Sequence, residues 1–285
     1  MSEPRSITPP FAYFGGKTRL ADRIVELLPA HEHYVEPFAG SLAVLLKKPR
    51  SAMETVNDLD GDLMNFWQVL RDRPEDLARV CSLTPHSRAE HQAAYDLDGL
   101  DDLERARRVW VCLSQGRNGT LRRTGWRFYE KPRGGMSMPG YLGSYVDRIA
   151  PCAERLAGVS LECRDALTLI EKYGEHPGVL IYADPPYLAS TRGWGNNYAH
   201  ELRTDDEHQT LASALLDCKA AVVLSGYHSP LYDGLYAGWH RAEMKAWTGN
   251  GIRNGASKTD GDRTEVLWSN RSFPEADLPL FEVTA

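Results

Sequence analysis

Five consecutive apolar residues, Val179-Leu180-Ile181-Tyr182-Ala183, stop abruptly in Asp184-Pro185-Pro186-Tyr187. A run without polar alternation is buried on both faces, which places it inside a sheet covered by helices on either side. The prolines end the strand, because neither has an N–H to give the ladder. The strand thus opens into a stiff, partly apolar slot with one carboxylate and at least one free backbone carbonyl. Such a slot suits a flat base carrying an exocyclic amino group: the amino hydrogens need acceptors, and the ring needs a face to stack on. A plain loop after a strand is the competing reading.

The rest of the chain supplies the sheet. Tyr34 to Glu36, Met53 to Asn57, Val159 to Cys163, Ala220 to Ser225 and Arg263 to Trp268 read as further strands. Helical segments run from Thr18 to Leu28, Ser41 to Lys48, Gly61 to Arg71, Ala166 to Tyr173 and Asp205 to Cys218. This alternation predicts an α/β fold with a parallel sheet wrapped by helices. Residues 74–150 differ. They read as mainly helical with one interruption, Ser114 to Gly135, rich in Gly, Arg and aromatic residues. Turn signals at Gly116-Arg117-Asn118-Gly119 and Thr124-Gly125 make it a hairpin or an ordered loop. The middle is therefore an insert, and residues 1–73 and 151–285 form one α/β domain around it.

The net charge of −6 is unevenly spread. Leu103 to Arg133 holds nine Lys/Arg against Glu104 and Glu130, a local +7 on a body that carries −13. A basic island of this kind docks a polyanion by releasing counterions, and a solvated charged face is the alternative. No apolar run approaches the ~20 residues that span a bilayer, and Met1 to Pro10 lacks the apolar core of a signal peptide, so no membrane partner is expected. Five scattered cysteines without a C-x-x-C pair point to a reducing, cytoplasmic setting and to small apolar core roles. With no H-E-x-x-H among nine histidines no metal is expected, and no G-x-S-x-G elbow offers a hydrolytic nucleophile.

Three further segments carry candidate chemistry. In Tyr34-Val35-Glu36-Pro37-Phe38-Ala39-Gly40-Ser41 a strand, a tight turn and a helix start form the usual crevice for a nucleotide-like ligand. Gly40 lets the backbone approach that ligand, and Glu36 can accept from an ammonium group. Asp58, at the end of the next strand, is placed to accept from ribose hydroxyls, while Asp60 is suited to cap the following helix. Ala12-Tyr13-Phe14-Gly15-Gly16-Lys17-Thr18 resembles a phosphate loop only in its last residues. Phe11 stands where that loop requires glycine, so an ATPase is rejected, and the turn reads as a carboxylate holder or a helix start.

The order of these segments is more telling than any one of them. Pro10 to Lys17, then Glu36-Pro37-Phe38-Ala39-Gly40-Ser41, Asn57-Asp58, the basic insert and Asp184-Pro185-Pro186-Tyr187 together resemble the Dam-type (D12 class) DNA adenine-N6 methyltransferases. Arg263-Thr264-Glu265-Val266-Leu267 is similar to that family's closing strand. The resemblance implies a Rossmann-like S-adenosylmethionine-dependent sheet with an inserted, mainly helical DNA-recognition domain. It implies S-adenosylmethionine as cofactor and methyl transfer to N6 of a flipped-out adenine in double-stranded DNA. By the same resemblance Tyr13, Lys17, Glu36, Phe38, Gly40, Asp58, Asp165 and Asp184 contact the cofactor, and Asp184, Pro185, Pro186 and Tyr187 form the catalytic motif. Arg117, Asn118, Arg122, Arg123 and Arg127 are the expected DNA contacts, with Trp126 or Tyr129 a wedge into the gap left by the flipped base. The loop from Gly249 to Asp262, with Arg253 and Lys258, is expected to order on DNA. A bacterial or phage-infected cell, association with the nucleoid and a cognate restriction endonuclease complete the expectation. Cytosine N4, adenine in RNA, or a non-catalytic DNA-binding role remain open at this level.

Overall fold

The computed structural model describes residues 7–131, 136–187, 202, 204–247 and 262–274. Among these, seven strands form one sheet: β1 (His33–Glu36), β2 (Met53–Asn57), β3 (Ser160–Glu162), β4 (Val179–Ala183), β5 (Ala221–Tyr227), β6 (His240–Trp247) and β7 (Asp262–Ser269). Their order is β3-β2-β1-β4-β5-β7-β6. β1 pairs in parallel with both β2 and β4, β2 pairs with β3, and β4 pairs with β5. β4 is buried along its whole length, as an uninterrupted apolar run requires. The chain order reverses between β1 and β4, and Glu36 and Asp184 leave the sheet there at the same edge.

The sheet is parallel from β3 to β5 and antiparallel beyond. β7 runs antiparallel between β5 and β6, and β6 had no counterpart among the apolar runs. The reason lies in its sequence, His-Arg-Ala-Glu-Met-Lys-Ala-Trp. An edge strand keeps polar residues toward water and so lacks an apolar signature. The Gly249 to Asp262 loop lies outside the described residues apart from Asp262 itself.

Strand residues alternate between two cores, one on each face of the sheet. Leu180 and Tyr182 join Tyr34, Val56 and Val223 on one face, whereas Val179, Ile181 and Ala183 join Val35, Val222 and Leu224 on the other. The helices begin with α1 (Ala21–Glu26) and α2 (Ala43–Lys47), both shorter than their periodicity suggested, and α3 (Gly61–Asp72). The middle of the chain folds as α4 (Pro74–Leu83), α5 (Arg88–Ala93), α6 (Asp102–Gln115), α7 (Met138–Val146) and α8 (Ile149–Leu156). The later helices are α9 (Ala166–Gly174), α10 (Asp205–Leu216) and α11 (Pro230–Leu235). The middle helices share one continuous core with α3 and the first face of the sheet, through Trp67, Leu77, Val109, Trp110 and Leu156.

Between α6 and α7 the chain makes a closed loop. Gly116 bridges Trp126, Arg117 N–H donates to Gly125 O (3.0 Å), and Arg127 N–H donates to Gln115 O (2.7 Å). From the turn after α5, the Tyr95 hydroxyl accepts the Thr124 N–H at 3.0 Å. The tip of the loop rests on the N-terminal turn, where Phe14 N–H donates to Gly119 O at 2.7 Å. Gly119 has φ 61°, and a β-carbon on it would stand 2.6 Å from Ala12 O. Only glycine fits both the backbone and the space.

One buried ion cluster ties the first half-sheet to the middle. Glu54 on β2 accepts from Lys48 (2.7 Å) and, through both oxygens, from Arg155 on α8 (2.6 and 2.8 Å). All three side chains are buried. Burial pushes the Glu54 carboxyl up, but the hydrogen bonds from Arg155 and Lys48 outweigh it and hold the group at about 2. Glu54→Ala would leave two buried cations without a counter-charge, and a loss of about 3–5 kcal/mol in urea unfolding is expected. In the native protein this contribution is fully present above pH 4.5 and is lost as pH falls toward 2, because the folded-state value is depressed. A wild-type unfolding curve with no pH dependence across that window would contradict it.

Candidate active site

Three segments far apart in sequence converge at the reversal between β1 and β4. Lys17, from the N-terminal turn, places Nζ 2.7 and 2.8 Å from the two oxygens of Asp184 and 3.1 Å from Gly15 O. The same ammonium lies 3.6 Å from Glu265 Oε1 on β7 and 4.8 Å from the centroid of the Tyr187 ring. The Tyr187 hydroxyl lies 3.0 Å from Asp184 Oδ1 and makes a shorter hydrogen bond to Glu265. Ser225 on β5 donates to the same Glu265 oxygen at 2.6 Å. Tyr227 packs edge-on against the Tyr187 ring, with centroids 4.6 Å apart. Burial pushes the Asp184 carboxyl upward, Lys17 pulls it back, and Glu265 adds to the rise. The Tyr187 hydroxyl is held well above the phenol range, chiefly by burial.

A cavity of about 610 Å³ opens beside this cluster, within the range of small-molecule sites. Tyr13, Phe38, Gly40, Asp58, Asp165 and Asp184 are among the residues that line it. Its floor is the turn after β1. Gly40 has φ 47°, and a β-carbon there would stand 3.0 Å from Tyr13 Cε1, so the turn and the ring close on each other only without a side chain. Gly40 N–H donates to Asp58 Oδ2 (2.9 Å), and Asp60 N–H donates to Asp58 Oδ1 (3.0 Å). Asn57 stitches the neighbouring turns, donating to Pro37 O and Arg164 O at 3.0 Å each.

Asp60 caps α3 by accepting from Asp62 N–H and Leu63 N–H, and Asp165 caps α9 in the same way. Glu36 is buried at the inner end of the cavity and accepts from the Tyr34 hydroxyl at 3.0 Å. Burial lifts its carboxyl to about 8, against the pull of the Tyr34 hydrogen bond. A cation brought beside it would restore the charge. Carboxyl groups spaced along one apolar cleft suit a ligand with an ammonium group, ribose hydroxyls and a purine amine. The residues present fit S-adenosylmethionine.

The structure therefore brings Tyr13, Lys17, Glu36, Phe38, Gly40, Asp58, Asp165 and Asp184 together around one cavity. It sorts the basic island into two groups. Arg105 pairs with Asp62 (2.7 Å), Arg107 with Glu104 and Glu90 (2.6 Å each), and Arg108 with Glu104 (2.8 Å), bracing α6. Arg117, Asn118 and Arg123 are exposed on the loop, with the Arg123 guanidinium 5.0 Å over the Tyr95 ring and Arg122 half-buried beside it. Arg127 is drawn inward instead, bonded to the Tyr129 hydroxyl and seated 4.4 Å over the Tyr141 ring. Trp126 is stacked between His86 (4.4 Å) and Phe128 (5.5 Å), with Arg88 over its face. Arg133 lies outside the described residues. Glu265 and Ser225 carry no motif that assigns them a role from sequence. The available signal was a carboxylate inside an apolar closing strand.

A model of the D12 class N6 adenine-specific DNA methyltransferases matches residues 13–248. The chain belongs to this family. It is a site-specific DNA adenine-N6 methyltransferase that uses S-adenosylmethionine, and the sheet is the family's Rossmann-like fold. The type II methyltransferase M1.LlaDCHI of Lactococcus lactis subsp. cremoris is 28% identical over 273 residues, 90% of this chain and 93% of that protein. The DNA adenine methylase of Vibrio cholerae serotype O1 is 26% identical over 271 residues, 90% of this chain and 94% of that one. The DNA N-6-adenine-methyltransferase of Escherichia phage P1 is 28% identical over 243 residues, 79% of this chain but 30% of the longer phage protein. Among the described residues, no helix is long and apolar enough to cross a membrane.

The ion pair at the heart of this methyltransferase is open to a direct check. Lys17→Met removes the strongest of the forces that pull the Asp184 carboxyl down against burial and Glu265, so its titration should move to higher pH. Carboxyl-carbon NMR on the labelled protein reads that midpoint, and an unmoved midpoint would contradict the pairing.

Proposed function

We propose that Asp184 and the Pro185 carbonyl accept the two N6 hydrogens of a flipped-out adenine while Tyr187 offers its ring as a stacking face. The observation that carries this reading is the placement of Lys17. Its Nζ stands 2.7 and 2.8 Å from both Asp184 oxygens, so a nitrogen donor already fills the position that an exocyclic amino group would take. The substrate amine replaces the ammonium there. Pro185 and Pro186 stiffen the backbone on which the acceptors sit, so little freedom is lost when the base arrives. An adenine inside a duplex cannot reach this recess, which is why the base has to leave the stack.

Asp58 is the acceptor for the ribose hydroxyls, Glu36 for the ammonium end with Phe38 beneath the methionine part, and Asp165 lies beside the purine. Tyr13 and Gly40 shape the wall between them. S-adenosylmethionine, when bound, supplies an electrophilic methyl group on its sulfonium. The contribution of the chain is positioning: hydrogen bonds from N6 to Asp184 and Pro185 turn a nitrogen lone pair toward the cavity, where the distance and angle of attack are set. No covalent nucleophile on the protein is required.

Residues 74–150 serve as the target-recognition insert of a catalytic domain formed by residues 1–73 and 151–285. Its loop presents Arg117, Asn118, Arg122 and Arg123 beside the catalytic turn, and the pairing of Arg105, Arg107 and Arg108 with Asp62, Glu90 and Glu104 narrows the DNA-binding part of the basic island to that loop. Side-chain chemistry favours Arg for guanine edges and phosphates and Asn for adenine. The type II designation of the lactococcal relative supports a cognate restriction endonuclease as companion, a reading tested by protection of host DNA from digestion.

With labelled cofactor and duplex DNA followed by nucleoside analysis, Asp184→Ala should abolish N6-methyladenine formation while circular dichroism shows the fold retained, at a lower melting temperature because buried Lys17 loses its partner. A folded variant that still methylates would sink the assignment. Replacing Arg122 and Arg123 together by Ala should weaken DNA binding and lower the slope of log K against log salt by about one to two. An unaltered slope would move the interface elsewhere.

A further inference from the structure

Glu265 is the side chain that joins Ser225, Tyr187 and Lys17 in the cluster around Asp184. It is buried on β7, 3% exposed, and belongs to none of the motifs that define the cavity. Its Oε1 accepts from Ser225 (2.6 Å) and from the Tyr187 hydroxyl, and lies 3.6 Å from the Lys17 ammonium. A phenol has one proton to donate. Two carboxylates, Glu265 and Asp184, lie within hydrogen-bond reach of the Tyr187 hydroxyl and compete for that proton.

Lys17 raises a problem that Glu265 solves. For the substrate amine to bond Asp184, the ammonium has to leave it, yet Lys17 is itself buried, 6% exposed. A buried cation cannot simply be abandoned in an apolar recess. A second carboxylate already stands within 3.6 Å, and closing that gap to a charge-assisted hydrogen bond takes a movement on the order of 1 Å. Gly15 O keeps hold of the ammonium from the other side.

We propose that Glu265 is a positioning residue of the methyl transfer: it fixes the Tyr187 hydroxyl and receives the Lys17 ammonium when the substrate amine takes its place on Asp184. The proposal rests on the assignment of Asp184 as acceptor of the N6 hydrogens. Among the described residues, Lys17 on the N-terminal turn, Glu36 on β1, Tyr182 on β4, Tyr187 on its own loop and Glu265 on β7 are the charged and titratable groups that act on Asp184. Among them Glu265 and Lys17 set opposing fields on it, which gives the role a signature that simple packing lacks.

The test compares Glu265→Gln, Glu265→Asp and Asp184→Ala with the wild type, each checked for melting temperature and for S-adenosylmethionine binding by calorimetry. In Glu265→Gln the glutamine oxygen still accepts from Ser225 and Tyr187, but the charge that Lys17 needs is gone. Its kcat should fall on the order of tenfold or more at saturating DNA, with cofactor affinity preserved. The acid limb of its kcat–pH profile should move to lower pH, because removing a neighbouring negative charge lowers the Asp184 midpoint. In a Lys17→Met background the Glu265→Gln penalty should shrink, as coupling through Lys17 requires. Glu265→Asp keeps the charge and withdraws it by one methylene, so kcat should fall while the acid limb stays in place. That variant carries the test if Glu265→Gln melts early. Wild-type kcat in a folded Gln or Asp variant, with Asp184→Ala inactive, would overturn the role of Glu265 alone. Activity in Asp184→Ala would overturn the assignment on which it rests.

Discussion

The reversal of strand order between β1 and β4 is the constraint that creates the site. Strands laid down on one side of β1 and then on the other, joined by right-handed crossovers, put their connecting helices on opposite faces. The carboxyl ends of the two central strands are then left without a helix across them. The Gly40 turn leaves that gap to one side and the Asp184 loop to the other. The N-terminal turn closes it from above with Lys17. A sheet of another order could bury the same side chains, but it would not separate the two loops by the width of a small molecule.

Much of this was legible in the sequence, and for definite reasons. Val179 to Ala183 announced a central strand because burial on both faces leaves no room for polar alternation. Asp60 announced a helix start because its carboxylate has backbone N–H groups to satisfy. β6 was hidden because an edge strand half-exposed to water carries no apolar run. The partners of Lys17 were hidden for another reason. A glycine turn with a lysine suits any carboxylate, and the spacing of 167 residues to Asp184 is set by topology rather than by local pattern. Glu265 is visible in sequence as part of a closing strand, yet only the register of β7 against β5 brings it to Ser225 and Tyr187.

Charge gives the same lesson at a larger scale. The +7 island looked like a single polyanion surface, but the fold commits its first three arginines to Asp62, Glu90 and Glu104. Sequence composition counts charges; packing decides which of them still face outward. What remains exposed is a short loop whose own backbone is pinned at several points, so its arginines project from a rigid base and lose little freedom on contact.

The hydrogen bond from Phe14 to Gly119 has a mechanical meaning. Side-chain contacts have slack, because a rotamer change absorbs a shift of an ångström or more. A backbone-to-backbone joint with a glycine packed against a carbonyl has almost none. The loop proposed to meet the nucleic acid and the turn that carries Lys17 are therefore joined as one piece, because Phe14 and Lys17 belong to the same tight turn. On the proposed reading that this loop meets DNA, a misfit at its tip would displace the ammonium as well, and fidelity would then be a property of turnover as much as of affinity.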